Sequence, residues 1–80
     1  MDRQTMVEEF KALISATSVR ADAIVYTVTD NTYIRIYAFA IVVRGIYVER
    51  YELLSTGEVL MHNLVDRDNV EDFVITKIKA

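Results

Sequence analysis

The chain has 80 residues, of which 52% are hydrophobic, with a net charge of -3 and neither cysteine nor proline. A chain this short buries only about 60% of its unfolded surface on folding, so residues 1–80 are predicted to form a single domain. The high apolar fraction and the small net charge exclude intrinsic disorder. Zero cysteines exclude disulfides, thiolate catalysis and cysteine-ligated metals.

The N-terminal segment carries early charges and lacks the apolar stretch of a signal peptide. The longest unbroken apolar run, residues 36–43, is far shorter than the roughly 20 residues of a membrane-spanning helix. We therefore expect a cytoplasmic protein that does not enter a membrane. Net acidity makes nucleic acid an unfavourable partner unless a local basic patch binds it.

Residues 5–18 are predicted to form a helix, because apolar side chains recur there at a spacing of three to four. Thr5 and Glu8 have the spacing of a capping box, which predicts that Thr5 caps the helix. The residues on the apolar face are Met6, Val7, Phe10, Leu13, Ile14 and Thr17.

Between residues 22 and 65 the sequence is rich in Val, Ile, Thr and Tyr, which favour strands. Residues suited to tight turns divide this stretch at 30–31, 44–45 and 55–58. The pattern therefore predicts an antiparallel meander, with a long second strand that is bent or bulged. The four predicted strands are residues 23–29, 32–43, 46–54 and 59–65.

The last fifteen residues, 66–80, are predicted to form a second helix. Asp68 and Glu71 have capping-box spacing, and Lys77 and Lys79 lie where cations favour a helix C-terminus. The alternative is a short turn and a fifth strand from Phe73, which the β-branched residues of this stretch favour. The predicted fold class is thus α+β, with the order αββββα or, in the alternative, a helix followed by five strands.

Two-residue turns at each hairpin would assign the strand residues to two faces of the sheet. One face has Ala38 and Ala40 at its centre, which leaves room for the first helix to dock. The other members of this helix face are Val25, Ile34, Ile36, Val42, Tyr51, Leu53, Leu60, His62 and Leu64. The opposite face is also apolar, and the C-terminal helix, strong curvature of the sheet or a second copy of the chain could cover it. A second copy is the preferred prediction, because one small core supplies little stability. The predicted dimer interface is Phe39, Ile41, Val43, Ile46 and Val48, and the same face includes Ile24, Val28, Val59 and Met61.

A group of aromatic and charged residues on this opposite face is the best candidate for binding a partner, because Tyr and Arg are frequent in binding hot spots. Its members are Tyr26, Tyr33, Arg35, Tyr37, Arg50 and Glu52. The alternative is that these tyrosines only pack within the sheet and that the arginines only pair with acids. A second alternative is single-stranded RNA binding, with the aromatics stacking on bases and Arg35, Arg44 and Arg50 contacting phosphates.

Catalysis and cofactor binding have little support in the sequence. His62 is the only histidine, and in the predicted register it lies across from Tyr51 and diagonal to Glu49, as a structural histidine at the edge of the core. A small enzyme that uses His62 as a general base is the remote alternative. The acidic stretch 66–72 lacks the glycine of a calcium loop, and Gly45 and Gly57 are isolated in turns, so we expect no metal and no cofactor.

The sequence thus predicts a small, non-catalytic, self-associating module that acts as an accessory or inhibitory binder of another protein. This prediction rests partly on the absence of catalytic motifs, since the order of elements is shared by many unrelated domains.

Overall fold

A computed structural model describes residues 2–29, 35–64 and 72–78. It contains one helix, α1 (Arg3–Thr17), and a five-stranded antiparallel sheet. The strands lie side by side in chain order, so the sheet is a meander with β1 and β5 at its edges. The strands are β1 (Asp22–Thr27), β2 (Ile36–Arg44), β3 (Tyr47–Leu54), β4 (Glu58–Asn63) and β5 (Asp72–Lys77). The α+β class is confirmed.

The prediction of a C-terminal helix is wrong, and the alternative of a fifth strand is correct. Residues 72–77 pair with β4, which leads Ile78 into the core at 7% exposure. The β-branched side chains of this stretch prefer a pleated surface, and burial against the sheet outweighs the helix-end charges that favoured a helix. The predicted cap residues Asp68 and Glu71 lie outside the described residues.

The helix begins at Arg3, two residues earlier than predicted. Asp2 is the N-cap, and its carboxylate accepts a hydrogen bond of 2.8 Å from the Thr5 amide. This bond lowers the pKa of Asp2. Thr5, the predicted cap, is therefore already helical, because an aspartate at the helix start serves the same purpose as threonine.

The core lies between α1 and one face of the sheet. The predicted docking over Ala38 and Ala40 is confirmed, since both alanines are fully buried and allow the helix to approach closely. Leu13 packs at the margin of this core. The buried residues are Met6, Val7, Phe10, Ile14, Ala38, Ala40, Val42, Tyr51, Leu53, Val59 and Ile78.

A polar cluster fixes the end of α1 to the sheet. The Arg44 guanidinium donates to the carbonyl of Thr17, the last helical residue, and its Nε donates to Glu49 Oε1 at 2.8 Å. The Tyr51 hydroxyl donates to the same carboxylate oxygen at 3.3 Å. The bond to Glu49 raises the pKa of Arg44, and burial together with the Glu49 charge raises the pKa of Tyr51. Glu49 is thus engaged with Arg44 and Tyr51 on the helix side of the sheet.

Replacing Arg20 by glycine is expected to stabilise the protein. Arg20 follows the helix with a φ of 61°, in the left-handed region that side chains disfavour. Glycine relieves this strain, and we expect a gain of about 0.5 to 1 kcal/mol in the free energy of unfolding, measured by urea denaturation. The control is Val19→Gly at the preceding exposed position, which has no such strain to relieve and should lower stability.

Candidate open-face site

The second face of the sheet carries no helix within residues 2–29, 35–64 and 72–78, and we call it the open face. Ile24, Tyr26, Val43 and Val74 are 58%, 44%, 38% and 59% exposed there. Phe39, Ile41, Val48 and Leu60 are half-buried beside them. An antiparallel sheet that faces water normally presents polar side chains on that side, so this face has the composition of a binding surface.

The β2–β3 turn lies one residue later than predicted, but the face assignment survives. The turn residues are Gly45 and Ile46, and Gly45 has the positive φ of 60° that the first position of a type II′ turn requires. The pairing therefore shifts by two residues, for example from Phe39–Arg50 to Phe39–Glu52. A shift of two keeps every side chain on its face. Phe39, Ile41, Val43 and Val48 lie on the open face as predicted, whereas Ile46 occupies the turn and is 79% exposed.

The first hairpin also keeps its faces, although its register differs by four residues from the prediction. Val25 pairs with Ala40 on the helix side, and Tyr26 pairs with Phe39 on the open face. The predicted turn at residues 30–31 lies outside the described residues.

The predicted faces of β4 are wrong, and the cause is a turn of three residues. Ser55, Thr56 and Gly57 connect β3 to β4, so Leu53 pairs with Val59 rather than Leu60. A slip of one residue inverts every side chain. Val59 is therefore in the core, while Leu60 and His62 lie on the open face. Met61, predicted on the opposite face, therefore packs against the core. Leu64, predicted on the helix face, lies just after the end of β4.

A register shift at the start of β2 turns Tyr37 away from the open face. Ile36 pairs with Leu54, but Ala38 pairs with Leu53, so the strand is irregular at this point. Tyr37 packs against the helix side of the sheet, with the Arg3 guanidinium 4.6 Å from the centre of its ring. The predicted irregularity of the second strand is confirmed, and it removes Tyr37 from the predicted partner site. It also moves Ile36 out of the predicted helix face.

The structure brings together three of the six predicted partner-binding residues, and Phe39 joins them. The rings of Tyr26 and Phe39 stack at 4.7 Å with an angle of 17°. The Arg50 guanidinium lies 4.3 Å from the Phe39 ring centre, and its Nε donates to Glu52 Oε1 at 3.3 Å. His62 Nε2 lies 2.7 Å from the same oxygen. We call Tyr26, Phe39, Arg50, Glu52 and His62 the open-face cluster.

The remaining predicted residues have different positions. Arg35 is exposed just before β2, and its carbonyl accepts a hydrogen bond from Ser55. Tyr33 lies outside the described residues, as does Ile34. Sequence reasoning missed that His62 belongs to the cluster. The signal was available in Gly57, because a glycine in the third turn position is typical of three-residue hairpin loops.

The open-face cluster combines aromatic and charged contacts on an otherwise apolar surface. The side chains of Glu52 and His62 are each only 14% exposed, whereas Arg50 is 34% exposed. Such partly buried, mutually oriented groups are suited to directional recognition of a partner's polar groups. The described part of the chain contains no cluster of three or more potential metal ligands.

Comparison of the chain with protein-family models, with curated proteins and with solved structures finds no match. Across the described ranges, no helix combines the length and the apolar character needed to cross a membrane.

Proposed function

We propose that this chain is a non-catalytic protein-interaction module that associates with a second copy through the open face and binds another protein as an accessory or inhibitory factor. The observation that carries the proposal is the apolar open face beside the open-face cluster. Exposed apolar patches that adjoin Tyr and Arg side chains are typical of protein interfaces. The aliphatic residues Ile41, Val43 and Val48 supply the apolar contact. Tyr26 and Arg50 supply polar groups for directional hydrogen bonds.

The arginine contacts favour a protein partner over single-stranded RNA. Arg44 is engaged with Glu49 and the end of α1, and Arg50 is engaged with Glu52. Two of the three cations considered for phosphate contacts therefore already neutralise acids. An RNA binder would show affinity that falls steeply with salt, so a salt titration against a mixed oligonucleotide pool separates the two functions.

Replacing Ile41 by glutamate tests the open face. Ile41 lies at the centre of the face beside Ile24 and Arg50, and a carboxylate there would have to be desolvated in any interface. We expect Ile41→Glu to weaken association through this face by about 2 kcal/mol or more, which light scattering over a concentration series measures. Val19→Glu is the matched control, because Val19 is exposed outside the sheet.

Circular dichroism of both variants verifies that the fold survives. Equal mass profiles for wild type, Ile41→Glu and Val19→Glu would contradict self-association through the open face. For the second partner, Tyr26→Ala combined with Arg50→Ala should abolish capture, and retained capture would remove the open-face cluster from the site.

A further inference from the structure

Edge strand β1 has hydrogen-bonding groups on its outer side that the described part of the chain leaves unpaired. Val28, just after β1, donates to the Tyr37 carbonyl at 2.9 Å. Pairing groups alternate along an antiparallel ladder, so the even-numbered residues of β1 bond to β2. The N–H and C=O groups of Ala23, Val25 and Thr27 therefore point away from the sheet.

The two edges of the sheet differ in how they are protected against pairing. Proteins protect exposed edges with lysines, prolines or bulges. Edge strand β5 has a register shift opposite Val59 and Leu60, and it ends in Lys77. Strand β1 instead pairs regularly with β2 over six residues, and its only charge is Asp22 at one end. β1 is thus an unprotected edge strand that is available for pairing with another strand.

We propose that β1 pairs antiparallel with β1 of a second copy, about a two-fold axis at Val25. In this register Val25 forms backbone hydrogen bonds with Val25 of the second copy, and Ala23 forms them with Thr27 of the second copy. It satisfies all three outward residues at once. It also sets Ile24 beside Tyr26 of the other chain on the open face, an aliphatic–aromatic pair of the kind that stabilises sheets. The two sheets become one sheet of ten strands.

The position of α1 makes a second copy the occupant that fits this edge. The helix packs on both β1 and β2, so its axis lies close to the boundary between them. Neighbouring strands are about 4.8 Å apart, so the two-fold axis brings the two helices side by side at about 10 Å, the usual distance for packed helices. A shallow groove of about 370 Å³ between α1 and β1 then faces its symmetry mate, and it is lined by Arg3, Gln4, Val7, Glu8, Lys11 and Thr27.

The charges on this side of α1 match those of an antiparallel copy. Arg3 donates to the Val28 carbonyl at one end of β1, and Thr17 accepts from Arg44 at the other, so α1 runs antiparallel to β1. The helix midpoint therefore lies near the level of Val25. An antiparallel helix about that axis sets Glu8 of one copy opposite Lys11 of the other, twice in the dimer. Within one chain, Lys11 Nζ and Glu8 Oε1 are 3.9 Å apart.

This contact forms through the backbone edge of β1, whereas the proposed open-face interface forms through apolar side chains such as Ile41, so the contact is tested in the Ile41→Glu background, where the edge acts alone. We expect this variant to be a dimer by light scattering, and the wild type, which has both contacts, to form larger assemblies. Hydrogen exchange followed by NMR should show the amides of Ala23, Val25 and Thr27 slowed at least about tenfold in the concentrated sample relative to a dilute one. Adding Thr27→Pro removes an outward N–H without touching the bonds to β2, and should give a monomer. Thr27→Val keeps the amide and is the matched control.

Charge reversal tests the helix arrangement. Glu8→Lys and Lys11→Glu should each weaken the dimer about tenfold, since each sets like charges opposite each other at two symmetric positions. An equimolar mixture of the two variants should form a heterodimer with an affinity close to that of the parent. This recovery cannot come from the contact within a chain, because neither variant retains the Glu8–Lys11 pair.

The proposal is overturned if the Ile41→Glu protein is monomeric and its Ala23, Val25 and Thr27 amides exchange freely at high concentration. It is also overturned if Thr27→Pro stays dimeric, or if both charge variants dimerise as the parent does. These results do not test the proposed open-face interface. If that interface does not form, wild type and Ile41→Glu will have the same mass profile.

Discussion

Replacing Gly57 by alanine is expected to destabilise the protein by about 3 kcal/mol or more, because two unfavourable effects combine at this residue. Gly57 has a φ of 89°, in the region that side chains disfavour. In addition, a Cβ at this position would clash with the backbone carbonyl oxygen of Ile78. The amide of the same residue, Ile78, donates a hydrogen bond of 2.7 Å to the Gly57 carbonyl. To relieve the clash, the backbone of the turn or of the segment after β5 has to move.

Gly45→Ala is the matched control, because it shares the positive φ but has nothing within 4 Å of the added Cβ. It should cost only about 1 kcal/mol. Urea denaturation of both variants measures the difference. Equal losses would mean that the approach of Ile78 to the turn contributes nothing to stability.

Replacing Phe10 by alanine is expected to lower the free energy of unfolding by about 3 to 5 kcal/mol. Phe10 is fully buried on the helix face, in the same core cluster as the two alanines Ala38 and Ala40. Since those alanines are small and lie in the middle of a sheet, they cannot fill the space that the ring leaves. The cavity remains, and its cost is added to the lost transfer free energy.

Leu13→Ala provides the comparison, because Leu13 lies on the same helix but only partly buried at the margin of the core. Its loss should be about 1 to 2 kcal/mol, in proportion to the smaller area that it removes from water. Thermal or urea unfolding of the two variants checks the ranking. A Phe10→Ala protein as stable as Leu13→Ala would contradict the assigned centre of the core.

The helix was predictable from the three-to-four spacing of its apolar side chains, and the first three strands from their content of β-branched and aromatic residues between turn signals. The spacing of Met6, Phe10 and Ile14 is that of a buried helix face, and the β-branched and aromatic residues of β2 favour a strand. Even where the turns lie elsewhere, as at Gly45, the error was an even number of residues and left the faces unchanged.

The errors arose where one residue decides the outcome. The odd-numbered turn ending at Gly57 inverted β4 and transferred His62 to the open face, and the irregularity at Ile36 transferred Tyr37 to the helix side. The candidate site therefore depends on two local features that periodicity does not reveal. The last strand failed for another reason, because helix-end charges and β-branched residues made opposite predictions and only tertiary burial of Ile78 distinguishes them.

The meander order of the sheet has a consequence for how the protein folds. Each strand pairs with its neighbour in the chain, so every hairpin can form over a short stretch with a small loss of loop entropy. The exception is the closure of the core by Met6 and Ile78, which lie at opposite ends of the chain and are both buried. Sheet growth should therefore precede helix docking, and the docking of α1 against the end of β5 is the step with the largest entropic barrier.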